Sequence, residues 1–347
     1  MADTAARLKL TSYSHGAGCA CKLGLSDLDR VLELLGPPAQ QSDVPADVLV
    51  GLNEADDAAV VRLSDDESIV LTLDFFTPLV DDPFIWGQIA ATNAASDVYA
   101  MGGRPLVGLN IAAWPREALP LDVLADVLRG GRDVAERAGF VVVGGHTVDD
   151  PEPKYGMVIV GHIDPSRMMT IDAARPGDDL VLTKPIGTGV ITTAIKADKA
   201  PDDAMQAAVE SMTRLNDVAS AALVVAGVRA CTDVTGFGLL GHLHRMLAAS
   251  GAAAAIDAAR VPLLPGAPAL AESGSVPGGT KRNLAAVDAH VTWDGSTELT
   301  RLMLADAQTS GGLLAACPAD RAVDVGTVIG RVVDGPAGTI SVSGNVG

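Results

Sequence analysis

Nine residues near the N-terminus, Ser14-His15-Gly16-Ala17-Gly18-Cys19-Ala20-Cys21-Lys22, set two cysteines two positions apart and a lysine three beyond the first. Glycine lets a backbone fold over a ligand, and a cation beside a thiol depresses its pKa, so one reading is a flap with a reactive thiolate at Cys19. The other is a loop with incidental cysteines, because Cys-x-Cys alone is a weak metal or redox signal.

Carboxylates recur at expected element ends: Asp56, Asp57, Asp74, Asp97, and Asp233 in Cys231-Thr232-Asp233-Val234-Thr235-Gly236-Phe237-Gly238. Taken singly, each fits a helix cap or a solvated turn. Taken together they suit a hard cation such as Mg2+, which binds oxygen ligands and shares them with substrate phosphates. Three glycine loops follow the same two-way logic: Gly144-Gly145-His146-Thr147 after a strand, Lys184-Pro185-Ile186-Gly187-Thr188-Gly189 before a helix, and Thr309-Ser310-Gly311-Gly312. Bare N–H groups at strand ends and helix N-termini cradle phosphate, but the same residues also make plain turns, and none of the three matches the P-loop or dinucleotide fingerprint. His146 reads as an acid, a base or a ligand, or else as a hydrogen-bonded structural histidine. Cys231 and Cys317 lie among apolar strand residues and read as core thiols.

The elements that must hold these groups alternate in type. Residues 25–36 place Leu25, Leu28, Val31, Leu32 and Leu35 on one helical face, stopped by Gly36 and two prolines. Residues 57–63 and 68–74 predict strands joined by the turn Ser64-Asp65-Asp66-Glu67, with Asp74 at a strand end. A helix is expected from 83 to 100, where Asn93 and Asp97 share a face. Strands at 105–112, 140–143 and 157–163 and a helix at 121–138 complete the first half. The turn chemistry from Asp164-Pro165 to Pro176-Gly177 marks a domain boundary near 165–175. That gives a mobile arm at 1–24, an N-terminal domain at 25–165 and a C-terminal domain at 172–347, of mixed α and β class with no 20–50-residue repeat.

At 347 residues the chain is long enough for two domains. It is 48% hydrophobic and 20% charged, which excludes wholesale disorder. A net charge of −18 excludes a whole-protein basic footprint for nucleic acid or anionic lipid. Three Trp, three Tyr and five Phe are too few for base-stacking platforms, so small ligands are favoured. No secretory h-region or membrane-length apolar run is seen, and four cysteines suit a reducing compartment, so the expected location is the cytoplasm.

In their order these segments resemble the selenophosphate synthetase (selenide, water dikinase) family. The resemblance rests on the flap at 14–22, on Asp56-Asp57-Ala58-Ala59-Val60, on Ala91-Thr92-Asn93-Ala94-Ala95-Ser96-Asp97 with Met101-Gly102-Gly103, and on Gly144-Gly145-His146. It continues through residues 232–242 and Gln308-Thr309-Ser310-Gly311-Gly312-Leu313-Leu314, spanning about residues 12–315. The later motifs are shared with a wider ATP-binding superfamily that includes aminoimidazole ribonucleotide synthetase, and the Cys/Lys flap marks the selenium branch.

The resemblance implies the Mg2+-dependent reaction of ATP, selenide and water to selenophosphate, AMP and orthophosphate. It also implies an α+β fold and a homodimer whose N-terminal sheets pair into a β-barrel, with ATP held under a flexible N-terminal flap. By position, Cys19 and Lys22 match the catalytic pair, and Asp57, Asp97 and Asp233 match magnesium ligands. Lys22, Glu54, Ala55, Asp56, Asp74, Asp97, Gly145, His146 and Thr147 match nucleotide contacts. A selenium-delivery protein is a further expected partner; nucleic acid and membrane are not. Ala307 departs from the family's proline before Gln308, and Ala55 from a basic or hydroxyl residue. Two rival readings keep other acceptors or no catalysis: a sister ATP-dependent synthetase, which leaves the flap unexplained, and a metal or selenium carrier, which leaves the dispersed aspartates unexplained.

Overall fold

The computed structural model describes residues 8–22, 27, 30, 31, 34, 44–52, 56–321 and 324–347. The helix expected over 25–36 lies mostly outside the described residues, as do Glu54, Ala55 and the side chain of Cys21.

The first domain is a six-stranded sheet backed by two long helices. In chain order it runs β1 (Val48–Val50), β2 (Ala59–Arg62), β3 (Ser68–Phe76), α1 (Pro83–Ala100), β4 (Arg104–Trp114), α2 (Leu121–Ala138), β5 (Val141–Asp149) and β6 (Lys154–Ile163). The strand order is β1-β2-β3-β6-β4-β5, antiparallel throughout except for the parallel β4–β5 pair. It is an open sheet with edges at β1 and β5. Asp82 caps α1 by accepting from Ile85 N at 3.0 Å, Pro83 starts it, and Gly102 at φ +83° lets the chain leave. Buried on nearly all sides, α1 lies against α2 so closely that a Cβ at Gly87 would sit 2.0 Å from Val127 O and one at Gly130 2.0 Å from Phe84 O.

The second domain contains β7 (Asp179–Leu182), α3 (Thr188–Lys196), α4 (Asp202–Thr213), α5 (Asp217–Val225), β8 (Ala230–Asp233), α6 (Gly238–Ser250), β9 (Ala253–Asp257), α7 (Ala267–Glu272), α8 (Gly278–Val287), β10 (Val291–Asp294), α9 (Glu298–Leu304), β11 (Leu313–Cys317), β12 (Thr327–Val333) and β13 (Ile340–Ser343). Its seven strands order as β10-β13-β9-β12-β7-β11-β8. Both faces are covered: Leu180, Leu182, Leu314 and Ala316 pack with α6, while Val181, Leu313, Ala315, Cys231 and Cys317 pack toward α5. The two cysteines are therefore core thiols, as their apolar neighbours predict.

Two expectations need correction. Gly144-Gly145-His146-Thr147 is not a loop after a strand but the middle of β5, held in register on β4. The apolar run at 140–143 marks where the strand begins, and glycines with neighbours at regular ladder spacing continue it rather than ending it. Asp74 is likewise inside β3, two residues short of its end.

Candidate active site

The three aspartates converge from three elements and both domains. Asp57 precedes β2, Asp97 lies in the last turn of α1, and Asp233 ends β8; one carboxylate oxygen from each lies within 4.8 Å of the others. Thr232 Oγ1 donates to Asp57 Oδ1 at 2.8 Å, and Thr72 Oγ1 donates to Asp97 Oδ2. Asp57 Oδ2 and Asp233 Oδ2 are buried without a hydrogen-bond partner. Burial first, then the charge of Asp233, holds the carboxyls of Asp57 and Asp97 well above the usual range. Burial raises Asp233 to about 6. Three crowded carboxylates with oxygens left over are costly alone and fit a hard divalent cation, which takes oxygen ligands only.

Lys22 closes one side of the cleft over this cluster. Its ammonium lies 2.9 Å from Asp74 Oδ1; burial works against the charge, but Asp74, Cys19 and Asp97 together more than offset it, so the proton is held firmly. Asp56 anchors the neighbouring turn by accepting from Asp57 N at 2.9 Å and Ile171 N at 3.0 Å. Thr235, Phe237, His242 and Arg245 complete the wall. His242 Nε2 accepts from Thr235 N at 3.1 Å, and burial lowers its pKa to about 3, so the ring is neutral and structural.

The flap segment packs on both domains and reaches the cleft at Lys22. Leu10 and Thr11 are buried, and Thr11 donates to Asp81 through both N and Oγ1. Lys196 Nζ donates to Gly16 O at 2.8 Å and to Ser14 O, and Arg282 Nη2 to Ala20 O at 3.3 Å. Residues Gly18–Cys21 form a 3-10 turn; Gly18, at φ +55°, has no room for a Cβ, which would meet Thr309 Oγ1 at 2.6 Å. Cys19 is 1% exposed, with its N–H donating to Thr309 Oγ1 at 3.0 Å and its Sγ 3.6 Å from Asn93 Oδ1. The expectation that Lys22 depresses the Cys19 thiol is corrected: burial pushes it up to about 12, outweighing the nearby ammonium.

The glycine loops separate into different roles. At residues 187–190 the N–H groups leading into α3 are already taken: Gln308 Oε1 accepts from Gly187 and Thr188, and Asp306 Oδ2 from Gly189 and Val190, at 3.0–3.2 Å. That loop is a protein-filled helix start, not a phosphate cradle. Ala307 keeps the N–H a proline would lack, and donates it to Thr280 Oγ1 at 3.1 Å. Residues 309–312 clamp Cys19 and Asn93 through Thr309 and Ser310. Gly145 lies in the same lateral row as Asp74, through Met157 and Asn110, three strands away, or roughly 14 Å at ordinary strand spacing. His146 falls in the next row with Ile111, Gly156 and Phe75, so its side chain projects from the opposite face. Neither lines the cleft over the aspartates. Sequence reasoning missed Thr72 and Arg245 at the cleft and the hydrogen bond from Thr232 to Asp57. Lone hydroxyls and cations tens or hundreds of residues from their partners carry no spacing signal.

The chain matches family models for AIR synthase related protein, N-terminal domain, over residues 55–163, and C-terminal domain, over 175–343. It is 50% identical over 318 residues to the selenide, water dikinase of Myxococcus xanthus, covering 91% of this chain and 89% of that one. To the selenide, water dikinase of Caldanaerobacter subterraneus subsp. tengcongensis it is 46% identical, covering 92% and 91%. The chain belongs to the selenide, water dikinase family. The resemblance carried by the flap and the aspartate motifs is thereby borne out. The fold is also that of AaThiL complexed with AMPPCP and TMP, at TM-score 0.67 and 19% identity over 92% of this chain and 93% of that one. At that identity the likeness is one of fold alone.

Proposed function

We propose that this protein makes selenophosphate from ATP, selenide and water, releasing AMP and orthophosphate, a reading supported by its selenide, water dikinase relatives. The observation that carries the reading is the meeting of Asp57, Asp97 and Asp233 beside Lys22, with Cys19 one 3-10 turn away from that lysine. The three aspartates would hold Mg2+, which supplies neutralisation of the triphosphate when bound. Lys22, fixed by Asp74 at the cleft, adds a positive charge aimed at phosphate oxygens. At a net charge of −18, the protein needs such local cations to accept ATP at all.

Hydrogen selenide anion is a strong nucleophile that needs little general-base help. Its selenium attacks the γ-phosphorus, the bond to the bridging oxygen breaks, and ADP leaves; water then attacks the β-phosphorus of that ADP, giving AMP and orthophosphate. The chain's share is positioning and water exclusion. The flap, latched by Lys196 and Arg282, opens for exchange and closes over the substrates. Cys19, within the flap, guides selenium toward phosphorus. Asp56, Asp74, Asp97 and Lys22, with Glu54 and Ala55, contact nucleotide, whereas Gly145, His146 and Thr147, on β5 outside this cleft, would meet a nucleotide only across the paired sheets of a dimer.

Division into domains at 25–165 and 172–347, beyond an arm at 1–24, completes the assignment. A homodimer fits the bare sheet face, where Leu73, Phe75, Leu109, Val141, Val143 and Val148 are each 37–61% exposed; pairing two such sheets would close a barrel. Cys19, Cys231 and Cys317 are free thiols, which suits a cytoplasmic setting, and no helix among the described residues is long and apolar enough to cross a membrane. Because selenide is readily oxidised, a selenium-delivery protein is the fitting partner.

Phosphorus NMR of the protein with ATP, Mg2+ and anaerobic selenide tests the function. A selenium-bonded phosphate with selenide-dependent AMP supports it. AMP or ADP formed equally without selenide points to a sister synthetase, and metal retention without nucleotide binding to a carrier.

A further inference from the structure

Asn93 is fully buried on α1, and its carboxamide touches three functional segments at once. Its Oδ1 accepts from Ser310 N at 2.8 Å, and its Nδ2 donates to Asp74 Oδ2. A backbone N–H only donates and a carboxylate only accepts, so these two neighbours fix which end of the amide points where. The same Oδ1 therefore faces Cys19 Sγ, at 3.6 Å. Through the other oxygen of Asp74 the contact passes to Lys22 Nζ at 2.9 Å.

The support behind Asn93 is stiff. Ser310 is held at φ +50°, a left-handed conformation unusual for a residue with a side chain. Its carbonyl accepts from the buried Lys184 Nζ at 3.1 Å, and that ammonium also donates to Arg214 O at 2.6 Å. Among the described residues, the local link between Cys19 and Lys22 is a 3-10 turn closed by Lys22 N donating to Cys19 O at 3.1 Å. A 3-10 turn has poorer hydrogen-bond geometry than an α-helix, so contacts from outside the turn must fix the spacing of the two side chains.

We propose that Asn93 is the positioning residue that sets the spacing of the Cys19 thiol and the Lys22 ammonium at the cleft, one strut touching the thiol directly and the ammonium through Asp74. This deepens the proposed function and rests on it in the kinetic arm of the test only.

Peptide-resolved labelling with iodoacetamide, by mass spectrometry on the folded full chain, reads the strut without substrates. Cys231 and Cys317, buried in the C-terminal domain, report global opening. In Asn93→Ala, Cys19 should label at least about tenfold faster while Cys231 and Cys317 keep their wild-type rates. Asn93→Asp has the same shape and keeps the acceptor for Ser310, but sets a carboxylate against Asp74. It should lose at least about tenfold in kcat for selenide-dependent AMP formation with KM for ATP within about twofold. An unchanged Cys19 rate in Asn93→Ala, parallel acceleration at all three cysteines, or full kcat in Asn93→Asp overturns the assignment. Failure of the wild type to form AMP would overturn the proposed function and leave the labelling comparison to decide this one.

Discussion

Thr232 and Asp57 are 175 positions apart, yet Thr232 Oγ1 donates to Asp57 Oδ1 at 2.8 Å, so a strand of the C-terminal domain orients a carboxylate of the N-terminal one. Groups that orient a metal ligand typically change metal affinity by 10–100-fold when removed. Thr232→Val should therefore raise the Mg2+ concentration for half-maximal activity by about tenfold, while Thr232→Ser stays near wild type. Mg2+ titrations of AMP formation check this, and identical midpoints for Val and Ser would remove Thr232 from the site.

The aspartate cluster should make metal-free stability fall with rising pH. Burial raises Asp233 from 3.8 to about 6 and holds Asp57 and Asp97 well above the ordinary range. A carboxyl whose folded pKa exceeds its unfolded one contributes stability that is complete below the unfolded value and is lost as pH climbs through the folded one. Thermal unfolding in EDTA should thus show a lower midpoint at about pH 7.5 than at about pH 5, and saturating Mg2+ should reverse the loss because it binds the ionised carboxylates. The same pH slope with and without Mg2+ would refute a shared cation site.

Asp97→Asn removes one charge from that cluster while keeping an acceptor for Thr72. The fold should survive, with a metal-free unfolding midpoint at or above wild type, because like-charge crowding is relieved. Turnover should drop, and the Mg2+-dependent stabilisation should shrink. Unchanged activity at limiting Mg2+ would exclude Asp97 as a ligand.

Lys22 is a compact ammonium held by Asp74, and Arg is a wider planar group with different reach. Lys22→Ala should lose more than about 100-fold in kcat, the scale of removing one preorganised charge from a reaction that develops charge. Lys22→Arg should also perform poorly. Steady-state AMP formation at saturating ATP measures both, and full activity in the Arg variant would reduce Lys22 to a generic counter-charge.

The flap cysteines should not be interchangeable. Cys19 is buried against Asn93 and Thr309, and a serine there keeps the shape but offers a hard oxygen with poor affinity for selenium. Cys19→Ser should abolish selenide-dependent AMP formation while retaining ATP binding, and Cys21→Ser should keep most of the activity. Two equally inactive variants would indicate a dithiol mechanism instead.

The sequence by itself determined the local parts. Period-two and period-3.6 patterns located β3, α1 and α2, and the order of motifs around Cys19, Lys22, Asp57, Asp97 and Asp233 identified the family. Only the tertiary structure decided which chemistry each residue is free to do. Asp57, Asp97 and Asp233 share a site because two domains pack together, and no spacing along the chain encodes that distance. The sequence leaves the N–H groups at 187–190 either open to phosphate or part of a plain turn, and Asp306 and Gln308, more than a hundred residues away, occupy them. Cys19 looked like an activated thiol beside a cation, but burial outweighs the ammonium and keeps it protonated. In each case a sequence motif names the groups present, whereas solvent exclusion and the partners brought by packing set their charge and availability.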